Sequence, residues 1–392
     1  MAHDDSTKLI RVDEGEVQAY LAAAVKGAVR DVFEAVLEAE AQELLQARPY
    51  ERTTTRRDYR NGTRQRQLLT RVGDITLNVP RLRTVPFQSQ IVDRYKRMES
   101  SLEEALLEMY FQGVSTRKVA GITEELLGVP VSAGRMSRLN LKVADKLEAW
   151  RERPLEATYR YLYLDGTVVK ARWAGTVEPL CLLIAVGVTE AGYREILACE
   201  LGSTEDAESW LRLLRNLRKR GCQGVGLVIS DAHAGLRAAA ERCFPQADFQ
   251  RCIFHFIHNV LTQVPRKRQR QVAAALKAIY AQESEPEARA KAARFVEQYA
   301  TTLAQAVKVL RSGLSDTLTY YRYPSEHWRR IRTNNALERL LREVKRRLRV
   351  VGAFPDPGAA VLLATARLKW TQESLWGQRR YLDLDGGTKA AA

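Results

Sequence analysis

This 392-residue chain is poor in the residues that staple or anchor a protein. Its five cysteines, Cys181, Cys199, Cys222, Cys243 and Cys252, are scattered, odd in number and without a CxxC pair. That pattern excludes a disulfide framework and a zinc ribbon, and it suits thiols kept reduced in a cytosolic compartment. No uninterrupted apolar run reaches the length of a membrane span. The opening MAHDDSTKL lacks the apolar centre of a signal peptide. A cytoplasmic location with no membrane partner is therefore expected. Acids are also scarce: 47 Asp and Glu stand against 62 Lys and Arg, giving a formal charge of +15 and a pI near 9.7. Such an excess attracts polyanions, and its clustering favours a nucleic-acid partner.

What is present changes character along the chain. Residues 14–47 place Val17, Tyr20, Leu21, Val25, Val29, Val32, Phe33 and Val36 at helical spacing. The segment reads as an amphipathic helical pair suited to self-association. Residues 48–97 carry 13 Lys and Arg against four acids. Within them TRVGDITLNVPRLR alternates Val72, Ile75, Leu77 and Val79 about a Gly-Asp turn, so the region to residue 100 reads as a basic arm with a short β-hairpin. Arg56, Arg57, Arg60, Arg64, Arg81 and Arg83, interleaved with Tyr59 and Tyr95, form a candidate phosphate-tracking surface. Residues 101–150 read as a helix-turn-helix unit. Ser115 and Gly128 bound one helix, and Ser132 caps the next, whose Arg135, Arg138 and Lys142 are candidate DNA contacts.

From residue 158 the pattern is α/β. YLYLDGTVVK, PLCLLIAVGVT and YREILACEL read as three strands, followed by an amphipathic helix, the strand GVGLVISD, another helix and the short strand ADFQRC. Three consecutive strands, a helix and a strand ending in Asp231 follow the order of an RNase H-like core, which would set strand one beside strand four and bring Asp165 to Asp231. Gly166 is expected to let the chain turn away directly behind Asp165. Residues 252–325 read as an all-α insertion, and residues 326–375 as the last part of the core, in which SEHWRRIRTNNALERLLREVKRRLRV is one helix carrying Glu338. Residues 376–392 are expected to be a frayed tail.

Asp165, Asp231 and Glu338 are candidate catalytic and metal-binding residues. Three carboxylates suit Mg²⁺ or Mn²⁺, which take hard oxygen ligands. Two such ions about 4 Å apart activate a water or a 3′-hydroxyl and stabilise the leaving oxygen. Arg332, Arg339, Arg342, Lys345, Arg346 and Arg347 would provide the positive field that an anionic substrate needs there. Cys252 and His255 form a CxxH, with His233 before and His258 after, but no second pair has zinc-ligand spacing. His255 is instead expected beside the carboxylates, contacting phosphate or orienting a nucleophile. Trp328, and beside it Tyr320 and Tyr321, are candidates for stacking on an unpaired base, while Trp210 reads as core.

Five stretches in one order, YRNGTRQRQLLTRVGDITLNVPRLR, YLYLDGTVVK, VISDAHAGLRAA, FQRCIFHFIHN and RTNNALERLLREVKRRLRVVGAFP, resemble the Mutator-type transposases of bacterial insertion sequences. The resemblance runs from about Tyr59 to Pro355. It implies a DDE enzyme with Asp165, Asp231 and Glu338 as its acids, a helical insertion before the last of them and a divalent metal. It further implies that double-stranded DNA, as terminal inverted repeats and target, is the substrate, and that strand transfer proceeds without a covalent protein–DNA intermediate. Two ends held together make a homodimer a fair expectation. Where the family carries asparagine three residues after the glutamate, this chain has Leu341. A nuclease of the same core without strand transfer, and a DNA-binding regulator with merely structural acids, are the competing readings.

Overall fold

The computed structural model describes residues 13–91, 98–112, 114–173, 175–202, 206–231 and 234–384. His233, Tyr95, Arg94, Lys96 and Arg97 lie outside them. The chain divides into two compact units, one of residues 1–110 and 114–140, the other of residues 111–113 and 141–392.

The first unit begins with a single helix, α1 (Glu14–Leu45), not the expected pair. Asp13 caps it by accepting the Gly15 amide at 2.8 Å. Gly27 sits mid-helix with open space where a side chain would be, and one glycine lowers helix stability without ending the helix. The strands β1 (Arg60–Thr70) and β2 (Gly73–Leu82) form an antiparallel hairpin. It is longer than the sequence pattern implied, and its turn is Arg71-Val72, with Gly73 at φ 99° opening β2. The first strand escaped notice because RNGTRQRQ is polar on both faces; its backbone ladder, Arg64 opposite Val79 and Arg66 opposite Leu77, supplies the order. Leu37 and Ala41 of α1 join Leu68, Ile75, Leu77 and Val79 in a small core. Three more helices follow, α2 (Ser100–Phe111), α3 (Thr116–Leu127) and α4 (Ala133–Arg151). Ser115 caps α3, Ser132 accepts the Arg135 amide, and Gly128 ends α3 in the left-handed conformation. Leu102, Leu106, Val119, Leu127, Val131, Met136 and Leu139 make their shared core.

The second unit is built on a five-stranded sheet. Its strands are β3 (Tyr159–Trp173), β4 (Thr176–Thr189), β5 (Arg194–Gly202), β6 (Leu227–Ser230) and β7 (Asp248–Arg251), in the order β5-β4-β3-β6-β7. The first three pair antiparallel; β6 and β7 add in parallel. Helices α5 (Ala207–Lys219) and α6 (Ala234–Cys243) supply the crossovers. Strand periodicity then sorts β3. Leu162 and Leu164 pack with Trp210, Leu213, Leu214, Leu217 and Leu236 in the main core. Tyr161, Tyr163 and Asp165 belong to the opposite face, where the Tyr163 hydroxyl donates to the Arg330 carbonyl at 3.2 Å. After β7 the chain is helical: α7 (Ile253–Leu261), α8 (Arg266–Ile279), α9 (Glu285–Tyr299), α10 (Ala304–Thr317) and a 3-10 turn at Thr319–Arg322.

Three expectations need correcting here. The chain does not turn away at Gly166: β3 continues to Trp173, and Gly166 pairs with Leu183 of β4. The long antiparallel ribbon holds it straight, while β6 ends beside it. The run from Ser325 is not one helix but α11 (Ser325–Ile331) and α12 (Asn335–Val351), separated by a turn at residues 332–334. The tail is not frayed as far as residue 384. After α13 (Pro357–Glu373) and α14 (Leu375–Gln378), Tyr381 and Leu382 donate their amides to the Gly192 carbonyl, and Leu382 is 5% exposed. Gly192 has φ 84°, and a Cβ there would lie 1.9 Å from the Leu382 carbonyl oxygen, so only glycine fits.

Candidate active site

The strand register brings the first two carboxylates together. Tyr161, Leu162 and Tyr163 of β3 lie opposite Leu227, Val228 and Ile229 of β6. Continued by two residues, that register sets Asp165 level with Asp231, just past the end of β6. Asp165 is half-buried, and one of its oxygens accepts the Gly166 amide at 2.8 Å.

A chain of hydrogen bonds then ties in the third acid. The Cys252 amide donates to the carbonyl of Ser230, the residue before Asp231, at 2.8 Å. The Cys252 thiol accepts the Asn334 amide at 3.3 Å. The Asn334 side-chain amide donates to the carbonyl of Leu164, the residue before Asp165, at 3.1 Å. The Asn334 carbonyl accepts the Glu338 amide at 2.9 Å in the first turn of α12. Asn334 and Cys252 are both fully buried, so these bonds are shielded from water. This explains the break before α12: Asn334 leaves helical geometry to bridge β3 and the start of α7. Cys252 is thus a cross-linking acceptor as much as a packed thiol.

His255, three residues along on α7, stands between two of the acids. Its Nδ1 contacts Asp231 Oδ1, and its Nε2 lies 3.5 Å from Glu338 Oε1. The hydrogen bond to Asp231, helped by Cys252, pushes its pKa up to about 11, so at neutral pH an imidazolium balances the carboxylates. Glu338 Oε1 is buried and accepts no hydrogen bond. Ligand atoms of Asp231, Cys252 and His255 all lie within 4.8 Å of one another. His258 is exposed on the same helix and stands outside that group. The carboxylate oxygens of Asp231 and Glu338 offer donors of the kind a hard divalent cation takes. With a buried oxygen lacking a donor, the pocket fits such an ion.

The arginines sort into two kinds. Arg339 and Arg342 are exposed on α12 and Lys345 is half-buried. Arg332 donates to the Tyr280 carbonyl at 3.1 Å. Arg346 and Arg347 pair with Glu343, at 3.1 and 3.0 Å, and buried Arg367 joins them at 3.0 Å. The Arg346 hydrogen bond, followed by that of Arg347, holds the Glu343 pKa down to about 2 against the opposing effect of burial. Leu341, where asparagine was expected, is 3% exposed on the packed side of α12. Trp328 is half-buried: its indole N–H donates to the Tyr323 carbonyl at 2.7 Å, and its ring meets Tyr320 and Tyr321 edge-on. Tyr320 is fully buried and stacks on Tyr321 with centroids 4.3 Å apart, so it is core and unable to receive a base. Trp210 is core as well.

In the first unit, Arg57, Arg81 and Arg83 are exposed and Arg64 is half-buried. Arg60 pairs with Glu38 of α1 at 2.6 Å. Arg56 donates to the carbonyls of Arg48 and Glu51, and both it and Arg83 lie over the Tyr59 ring. On α4, Arg138 and Lys142 are exposed and Arg135 is half-buried. Sequence reasoning missed a second cluster in the other unit, formed by Arg194, Arg367, Trp370, Trp376 and Tyr381. The Arg367–Trp370 spacing, one helical turn, was the available signal.

Among the described residues no helix is long and apolar enough to cross a membrane. Residues 1–376 match the family model described as Transposase, Mutator family. The transposase of insertion sequence element ISRM5 from Rhizobium meliloti is 40% identical over 91% of this chain and 90% of its own length. That of IS406 from Burkholderia multivorans is 36% identical over 96% and 99%. That of IS256 in transposon Tn4001 from Staphylococcus aureus is 35% identical over 92% and 93%. A chain of a simian T-cell lymphotropic virus intasome complex aligns over 52% of this chain and 63% of its own, at 11% identity and a TM-score of 0.17, too low to bear on the fold. With a family model spanning nearly its whole length and relatives at this identity, the chain belongs to the Mutator family of transposases.

Proposed function

We propose that Asp165, Asp231 and Glu338 form one DDE triad on an RNase H-like core, and that the chain cleaves and joins DNA at the ends of its insertion sequence. The observation that carries this reading is the buried bridge from Ser230 through Cys252 and Asn334 to Leu164. It ties the three backbone segments that bear the acids. A sheet with an antiparallel ribbon extended by two parallel strands supports the core assignment, and the helices α7 to α10 stand where the all-α insertion is expected.

Asp165, Asp231 and Glu338 would hold Mg²⁺ or Mn²⁺, which would lower the pKa of a bound water or 3′-hydroxyl and stabilise the leaving oxygen. The protein's own part is positioning. His255 orients Asp231 by hydrogen bond and balances charge between Asp231 and Glu338. Arg339 and Arg342 draw the phosphate backbone to the rim of the site. In the first step the oxygen of water attacks phosphorus and the bond to the 3′-oxygen breaks. In the second, that 3′-hydroxyl attacks a target phosphate and displaces its 3′-oxygen. Residues 48–150, the basic arm and the helix-turn-helix, would bind the terminal inverted repeats, with Arg57, Arg64, Arg81, Arg83, Arg138 and Lys142 as backbone contacts. Two copies of the chain would hold two ends in the cytoplasm.

The test is incubation of the full chain with candidate end DNA and Mg²⁺ or Mn²⁺, with product strands mapped on a gel. Asp231→Ala should lose cleavage and joining yet shift end DNA as the parent does. Cleavage retained by purified Asp231→Ala would sink the assignment. Hydrolysis without joining of a pre-cut end would leave a nuclease.

A further inference from the structure

Beside the carboxylates lies a second feature, which shares only Arg339 with the rim of the proposed site. A cavity of about 550 Å³ opens among α12, α13, α14 and the strap after α14. Its floor is the turn that carries Glu338, for Asn335 and Arg339, one helical turn apart on α12, both line it. Its walls alternate cations and rings. The Arg194 guanidinium lies 4.2 Å from the centre of the Trp376 ring and 4.7 Å from that of Tyr381, and Arg330 covers Tyr381 at 4.8 Å. Trp370 rests on Arg367 at 4.1 Å and is 42% exposed. Among the described residues Glu343 is the one carboxylate in the lining, and Arg346, Arg347 and Arg367 already neutralise it. Arg194, Arg330 and Arg339 are left without an acid partner among the described residues.

Arginines without acids select a phosphate, and an exposed indole backed by a guanidinium selects a flat ring. A group offering both is a nucleotide. The volume lies in the range of about 300–1,000 Å³ usual for small-ligand pockets, so it admits one nucleotide and not a duplex. We propose that this cavity receives a single unpaired nucleotide of the strand being processed, its base on Trp370 and its phosphate on Arg330 and Arg339. A strand held at Glu338 needs only to continue past Arg339 to reach it. Taking one base out of the stack would hold the strand in place and favour ends that are already frayed. This rests on the proposed DDE reading for the strand's location, but its binding step requires no metal.

The experiment measures binding of the full chain in EDTA, where no cleavage occurs. The probes are a short blunt duplex and the same duplex with an unpaired tail of arbitrary sequence, since stacking is sequence-tolerant. The tailed duplex should bind roughly tenfold more tightly, the scale of one stacked base. Trp370→Ala should erase that preference while leaving blunt-duplex affinity within about twofold, and Trp370→Phe should restore most of it. A 2-aminopurine in the tail should be quenched by the parent and not by Trp370→Ala. Arg339→Ala, folded by circular dichroism, should weaken binding of the tailed probe more than of the blunt one. Equal affinity for the two probes, or a preference that survives Trp370→Ala, overturns the proposal and leaves the triad untouched. Competition by free thymidine monophosphate without any tail preference would overturn it too, reassigning the cavity to a free nucleotide. Loss of cleavage in Asp231→Ala with the tail preference intact separates the two sites.

Discussion

Glu338 and Glu343 stand on one helix, five residues apart, and the molecule treats them in opposite ways. Glu343 gathers Arg346, Arg347 and buried Arg367, each within 3.1 Å. Its charge is cancelled, and its role is to hold α12 to α13. Glu338 has an imidazole 3.5 Å away and a buried oxygen that accepts nothing. Among the described residues no arginine forms an ion pair with it. A carboxylate surrounded by guanidinium groups is a structural fastener; one left with an open lone pair is available to a cation. The same contrast divides the arginines: those on Glu343 are committed to packing, whereas Arg339 and Arg342 are exposed and pair with no acid among the described residues.

That difference gives a graded set of tests. The largest effect is expected at the open end of α12. Glu338→Gln should lower DNA cleavage by at least about 10³-fold, in line with loss of a member of a catalytic unit. Its thermal midpoint should barely move; a folded Glu338→Gln with near-parental cleavage would erase the contrast. Next is Asn334→Leu, which removes the side-chain bond to Leu164 and leaves a buried carbonyl unpaired. It should cost about 1–3 kcal/mol by denaturant titration and slow cleavage by about 10–100-fold, as loss of supporting contacts does at metal sites. Glu343→Gln should show the reverse profile: a loss of about 1–3 kcal/mol from stranding buried Arg367, with cleavage changed only a few-fold.

The pH dependence sharpens the same point. Glu343 ionises at about 2 in the fold, below its ordinary value of 4.5. A depressed carboxylate stabilises the fold above its unfolded pKa, and that contribution is lost as pH falls from 4.5 toward about 2. Over that window the parent should lose more stability than Glu343→Gln in parallel urea titrations. Equal slopes would mean the arginine cluster contributes little. The smallest effect is expected from Arg346→Ala. Its side chain is 63% exposed, so solvent screens the pair and the urea midpoint should stay close to the parent's.

Much of this was legible before any coordinates. The strands around Asp165 and Asp231, the helices from 252 to 325 and the caps Ser115 and Ser132 follow from periodicity and capping chemistry. Such signals are local, and both the strands and the helices bury strongly apolar faces. The polar strand β1 was not legible, because its order comes from a ladder to β2 and not from its own side chains. Nor was the length of α1, whose apolar spacing read as a pair of helices and is one helix.

What the chain dictated by itself was the inventory: two aspartates in or at the end of apolar strands, a glutamate in a basic helix, and five motifs in family order. Residue type and spacing suffice for that, because backbone periodicity is a property of a few neighbours. Only the tertiary structure decided which arginines are committed. It also made Asn334 and Cys252 the bridge under the site, carried β3 straight through Gly166, and folded Tyr381 back beside Arg194. Each of these turns on a contact between groups 17 to 187 residues apart, from Gly166 with Leu183 to Arg194 with Tyr381, and no local pattern encodes the distance between two side chains that the fold alone brings together.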